Sequence, residues 1–145
     1  MDDEAVLISI HPNYAAKILA GEKHLEFRRV WAARPVDLLV IYATSPVQRI
    51  VAVTRLGQIF RGSKNHLWQL SKKRVGGVSR RKLFKYMDGK KEGVALELIN
   101  TIKITSEIDP REIFGEGFRP PQSFRYLSQS ELSMLRRKMG DMIWG

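Results

Sequence analysis

Val6-Leu7-Ile8-Ser9-Ile10-His11-Pro12 leads, through a short apolar-striped segment, into Gly21-Glu22-Lys23-His24-Leu25-Glu26-Phe27-Arg28. Val6, Ile8 and Ile10 fall on alternate positions, the pattern of a strand with one buried face. Pro12 suits the first turn of a helix, where its missing N–H is not needed. Ala15, Ile18 and Leu19 give that helix an apolar stripe, and Gly21 ends it where a left-handed backbone is natural. A second strand follows over residues 24–29. On it Glu26 and Arg28 share one face, Leu25 and Phe27 the other, and Lys23 stands at the entrance.

Outward from this strand–helix–strand opening, the chain keeps supplying short strands. Arg34-Pro35 reads as a loop into residues 37–44, whose nearly unbroken apolar run suits a strand buried on both faces. Residues 50–60 are rich in β-formers, and Gly57 marks a bend or bulge. Residues 63–71 and 79–87 then form two short helices about the Gly76-Gly77 turn, anchored by Leu67, Trp68 and Leu70 and by Leu83, Phe84 and Met87. Alternation returns at Val94, Leu96 and Leu98 and again at Ile102 and Ile104. Pro120-Pro121 precedes an aromatic stretch, and Ser128-Gln129-Ser130-Glu131 is a capping box for a last helix carrying Leu132, Leu135 and Met139. Five to six short strands with a helix after the first do not make a βαβαβ pattern. The expected class is α+β: one domain over residues 1–145, a small mixed-direction β-barrel with peripheral helices.

Charge is distributed unevenly. The chain holds 25 basic and 15 acidic residues, a net of +10. Residues 38–87 contain no Asp or Glu but 11 basic side chains, so the other residues, with 14 basic and 15 acidic groups, net −1. A surface of one sign repels itself, and the commonest reason for one is a polyanionic partner. The predicted contacts are Lys64, Trp68, Lys72, Lys73, Arg74, Arg80, Arg81, Lys82 and Lys85, with Trp68 suited to stacking on a base or to packing in the core. Ser79 caps the helix whose first turn would hold Arg80, Arg81 and Lys82, an arrangement that favours a bound anion.

The remaining composition narrows the classes. The absence of cysteine rules out disulfides and thiolate metal sites. His11, His24 and His66 lack ligand spacing, so no metal and no cofactor is expected. His11 reads as a helix-entry residue and His24 as solvent-facing. The acidic start, Met1-Asp2-Asp3-Glu4, is unlike a secretory signal, and no apolar run is long enough to span a bilayer. The expected place is the cytoplasm, with no membrane partner.

The octet from Gly21 to Arg28 brings an ammonium, a carboxylate and a guanidinium within reach of one small ligand. Such a set holds a phosphate, binds a base edge or transfers a proton; the same spacing also fits a structural Glu26–Arg28 ion pair with Lys23 in solvent. In its form G-x-K-x-x-E-x-R, after Ser9-Ile10-His11-Pro12, it resembles the ASCH family, whose domains are PUA-like barrels. Ile41-Tyr42-Ala43-Thr44-Ser45-Pro46-Val47 and Pro120-Pro121-Gln122-Ser123-Phe124-Arg125-Tyr126-Leu127 extend the resemblance over residues 6–127, to the branch that stands alone or accompanies acetyltransferases. It implies a cleft beside the octet and a role in RNA binding or RNA metabolism.

Some members of that family hydrolyse N4-acylated cytidine, and their catalytic lysine corresponds to Lys23. Glu26 stands where they carry a threonine, and their glutamate from the middle segment has no counterpart here. Others are associated with RNA cleavage. The resulting expectation is a nucleic-acid-binding domain, RNA first, with a small nucleotide in a cleft formed by Lys23, Glu26, Arg28, Tyr42, Thr44, Ser45, Gln122, Ser123 and Arg125. The alternative is a hydrolase acting on RNA or on an acylated cytidine, with Lys23 and Glu26 catalytic. A third class, an adaptor whose basic face meets an acidic protein, is told apart by nuclease treatment of co-purifying material.

Overall fold

The computed structural model describes residues 3–140. Six strands form one sheet: β1 (Ala5–Ile10), β2 (Leu25–Arg28), β3 (Leu38–Ala43), β4 (Arg49–Gly62), β5 (Gly93–Ile108) and β6 (Phe124–Tyr126). Five helices accompany them: α1 (Pro12–Leu19), α2 (Lys64–Arg74), α3 (Arg80–Tyr86), α4 (Arg111–Phe114) and α5 (Gln129–Met139). Strand order is β2-β5-β4-β3-β1-β6, with β1 parallel to β3 and every other pair antiparallel. The expected α+β, mixed-direction fold is thus present.

The sheet is a curled half-barrel whose two edges approach each other. β2 and β6 lie at opposite ends of the strand order, yet Arg28 on β2 donates to the carbonyl of Ser9 on β1 at 3.3 Å and to that of Ser123, just before β6, at 2.8 Å. Trp31, beyond β2, packs on Phe124 with ring centres 5.1 Å apart. One guanidinium and one ring pair therefore join edges that no backbone ladder connects.

Both faces of the sheet are covered. On one, Leu7, Val40, Ile104 and their neighbours meet Leu132, Leu135 and Met139 of α5; on the other, Val6, Ile8, Ile41 and Leu96 meet Ala15 and Ile18 of α1. A third cluster, Leu25, Phe27 and Ala95 against Leu67, Leu83 and Met87, seats α2 and α3. β1 is thus buried on both faces rather than one, because α5 shelters the side that carries Leu7. The predicted single left-handed residue appears as Gly21 at φ +76°, one step after the α1 cap. Pro12 is at the first position of α1, and His11 caps it by accepting from the N–H of Asn13 at 3.2 Å. α2 runs on to Arg74, past the expected end, and α4 and strand β6 were not foreseen. The capping box at Ser128 and Glu131 is formed. Among the described residues no helix is long and apolar enough to cross a membrane.

Candidate nucleic-acid site

β2 is an edge strand only four residues long, paired with β5 so that Glu26 faces Leu96 and Arg28 faces Val94. Alternation sends Leu25 and Phe27 into the cluster beneath α2 and α3 and turns Glu26 and Arg28 the other way. Three of the octet's charged side chains are buried, Lys23 at 2%, Glu26 at 7% and Arg28 at 8% exposure, while Glu22 is exposed. Arg28 donates to one oxygen of Glu26 at 3.0 Å, while the Lys23 Nζ stands 3.7 Å from the other. The Glu26–Arg28 pair anticipated on structural grounds exists, but Lys23 is inside the molecule and not in solvent. Its ammonium donates to the carbonyl of Gly76 at 2.9 Å and lies 5.0 Å from the ring centres of both Tyr14 and Phe27.

These side chains floor a cavity of about 1010 Å³ between α1, β2 and α3. Tyr14 and Tyr86 contribute phenol rings to its lining, Lys82 and Lys85 ammonium groups, and His11 an imidazole. Burial pushes the Lys23 ammonium below the ordinary lysine range; Lys17 adds to this and Glu26 opposes it. Burial raises the phenols of Tyr14 and Tyr86, with the Glu26 carboxylate adding to both and Arg28 opposing at Tyr86. Glu26 is the one carboxylate lining the cavity among the described residues.

Sequence reading missed the two tyrosines. Tyr86 stands four residues after Lys82 on α3, hence on the same helix face, and Tyr14 sits in the first turn of α1; each spacing is a usable signal once the helices are known to flank the octet. The other residues predicted for the cleft lie elsewhere. Tyr42 is buried on the far face of the sheet, its ring edge-on to Phe118 at 5.4 Å. Thr44 and exposed Ser45 belong to the β3–β4 turn, where the Thr44 carbonyl accepts from Val47 at 3.1 Å. Gln122 is exposed, Ser123 takes part through its carbonyl, and Arg125 is tied to Glu131 at 2.9 Å beneath α5.

The acid-free segment supplies α2 and α3. Lys82 and Lys85 reach the cavity, and Lys73 and Arg81 are exposed. Lys64 and Arg80 lie over Phe84 at 5.3 and 4.1 Å, and Lys72 over Trp68 at 5.9 Å. Trp68 itself is half-buried against the third cluster. Arg74 is paired with Glu97 at 3.0 Å, so an acid from outside the segment takes up part of its charge. Ser79 caps α3 through the N–H of Lys82 at 3.2 Å, but the helix has seven residues and Arg80 is folded back on Phe84.

Comparison with known proteins agrees with this architecture. Residues 8–107 match the ASCH domain family. An ASCH domain-containing ribonuclease of Zymomonas mobilis is 29% identical over 136 residues, covering 92% of this chain and 91% of its own. The crystal structure of ASCH from Zymomonas mobilis has a TM-score of 0.84 at 30% identity, covering 92% of this chain and 94% of that one. A segment of an ATP synthase subunit alpha of Ureaplasma parvum is 27% identical over 128 residues, but the match spans 16% of that protein. With its curled six-stranded sheet and the octet at the edge strand, the chain belongs to the ASCH domain family.

Proposed function

We propose that this chain binds single-stranded RNA and cuts it at the cavity floored by Lys23, Glu26 and Arg28. The observation that carries the reading is a buried lysine–glutamate–arginine set lining a cavity of about 1010 Å³ whose wall, α3, comes from the acid-free third of the chain. Such a volume lies at the upper end of ordinary ligand pockets and suits a nucleotide turned out of its stack. Phenol rings such as those of Tyr14 and Tyr86 stack on any base, while Lys82 and Lys85 are placed for phosphates. An RNA helix offers no such nucleotide, hence the single strand.

For the cut, one hydroxyl must lose a proton, one leaving oxygen must gain one, and the crowded phosphorus must carry extra negative charge. Lys23 supplies positive charge from a buried position, where it acts most strongly. Glu26 accepts the proton of the attacking hydroxyl, and the Lys23 ammonium, made more acidic by burial, gives one to the leaving oxygen. Cleavage is preferred to binding alone because the Zymomonas relative that matches over 92% of this chain is named a ribonuclease. Hydrolysis of an acylated cytidine has less support, since the middle segment has no acid to supply the glutamate that the family uses for that chemistry, and Glu26 stands in place of its threonine.

Binding is tested by titration against salt. Contact with about four to six phosphates of a single strand gives a slope of log K against log salt near −3 to −4. Lys82→Glu with Lys85→Glu should weaken binding roughly 10²-fold and flatten the slope by about one to two. Affinity that ignores salt would remove the electrostatic half of the reading.

A further inference from the structure

Three consecutive carbonyls of the α2–α3 connection accept hydrogen bonds from the segment that carries the site. Val75 O accepts from the backbone N–H of His24 at 2.7 Å, Gly76 O from Lys23 Nζ at 2.9 Å, and Gly77 O from Lys17 Nζ at 3.4 Å. The turn is thus seated on the octet and on α1 at once. Its sequence is fitted to that seat. Gly77 has φ +67°, and a Cβ there would stand 2.6 Å from the Cβ of Lys23 and 2.8 Å from the Glu22 carbonyl. A Cβ on Gly76 would come within 2.9 Å of the Ser71 Cα and closer still to its hydroxyl. Val75, which caps α2, is held at φ 55°, a region that a β-branched residue adopts only when its contacts demand it.

We propose that the Gly76 carbonyl is a positioning group for Lys23, and that the Gly76-Gly77 turn fixes the ammonium at the cavity wall while joining it to the two basic helices. A buried ammonium must place its three N–H groups. Glu26 at 3.7 Å is too far for a hydrogen bond, and Tyr14 and Phe27 offer only ring faces at 5.0 Å. Gly76 O is the close acceptor, and its dipole favours the charged form against the cost of burial. The charged and titratable groups around Lys23 are Glu26 from β2 with Arg28 behind it, Lys17 and Tyr14 from α1 with His11 at its cap, and Lys82, Lys85 and Tyr86 across the cavity from α3. The turn itself brings no titratable group, only carbonyls. RNA drawn to Lys73 of α2 or Lys82 of α3 therefore engages helices that share the turn holding Lys23, so strand binding and ammonium placement are mechanically joined.

The assignment deepens the RNA reading, resting on it for the role of Lys23, but its test uses the RNA-free protein so that the two fail separately. Glycolate incorporated in place of Gly77 turns the Gly76–Gly77 amide into an ester, which makes the Gly76 carbonyl a poorer acceptor. The N–H it removes donates to no group among the described residues. With lysines labelled at Cε, carbon NMR should show the Lys23 titration falling by about half a pH unit or more, with the other lysines unmoved and the melting temperature nearly kept. In parallel, Gly77→Ala displaces the turn and should cut turnover on RNA by tenfold or more at unchanged KM. If that variant does not fold, the ester protein decides alone. A Lys23 titration identical in ester and amide proteins would overturn the assignment, even if RNA is bound and cut normally. Failure to bind RNA with the titration shifted would instead sink the function and leave the positioning role standing.

Discussion

Glu26→Ala lowers the unfolding free energy by about 3–5 kcal/mol, the range for stripping one partner from a buried ion pair. Lys23 and Arg28 are 2% and 8% exposed, and Glu26 is the carboxylate that stands between them. Without it, two cations share a buried space with no counter-charge. Arg28 also bridges the sheet edges through the Ser9 and Ser123 carbonyls, so its displacement loosens the curl as well as the site. In a chain of this length the cost corresponds to a fall in melting temperature of about 10–16 °C. Glu26→Gln keeps the volume and one acceptor oxygen and should lose about half as much. Thermal unfolding of the three proteins side by side measures it; an alanine variant that melts within about 2 °C of the parent would show that Glu26 does not hold the set together.

Lys23→Met has the opposite profile. Methionine keeps the unbranched apolar stem and removes the ammonium, which burial already disfavours. Glu26 retains Arg28 at 3.0 Å, so no buried carboxylate is stranded. The Gly76 carbonyl loses its donor, at about 1–3 kcal/mol, so stability should fall by less than in Glu26→Ala, while turnover on RNA falls by about 10²–10⁴-fold. Affinity for RNA should fall less than about tenfold, because Lys82 and Lys85, the proposed phosphate contacts, remain in place. Single-turnover cleavage against equilibrium binding separates the two effects. Equal losses in both would mean that Lys23 only binds.

The octet could be read from the sequence because a strand's alternation fixes which side chains share a face, whatever the topology. The buried run of β3 and the capping box of α5 were legible for the same local reason. β5 looked like two separate patches, Val94 to Leu98 and then Ile102 to Ile104, but it is one strand of 16 residues. The pairing with β4 slips opposite Asn100, whose φ is 51°, and the slip moves even-numbered residues from the α1 face to the α5 face. Local alternation cannot show that change of phase. Tyr42 illustrates another limit: a polar aromatic at a strand's end fits a cleft or a core equally well until the covering helices are placed. The charge count overstates the segment's unpaired positive charge, since Arg74 is paired with Glu97 and Arg55 with Asp3, acids from outside the counted segment. The bond from Lys23 to Gly76, 53 positions along the chain, depends wholly on how α2 and α3 dock.

The central claim is that the cavity between α1, β2 and α3 receives a nucleotide of an RNA strand. Photocrosslinking tests it directly, using a short single-stranded RNA with 4-thiouridine at each position in turn and mass spectrometry to locate the adducts. The account predicts adducts on Tyr14 and Tyr86 and on flanking residues of α1 and α3, lost when excess unlabelled RNA competes. Adducts confined to the α5 face or to the β3–β4 turn, from RNA that binds with the predicted salt dependence, would contradict it.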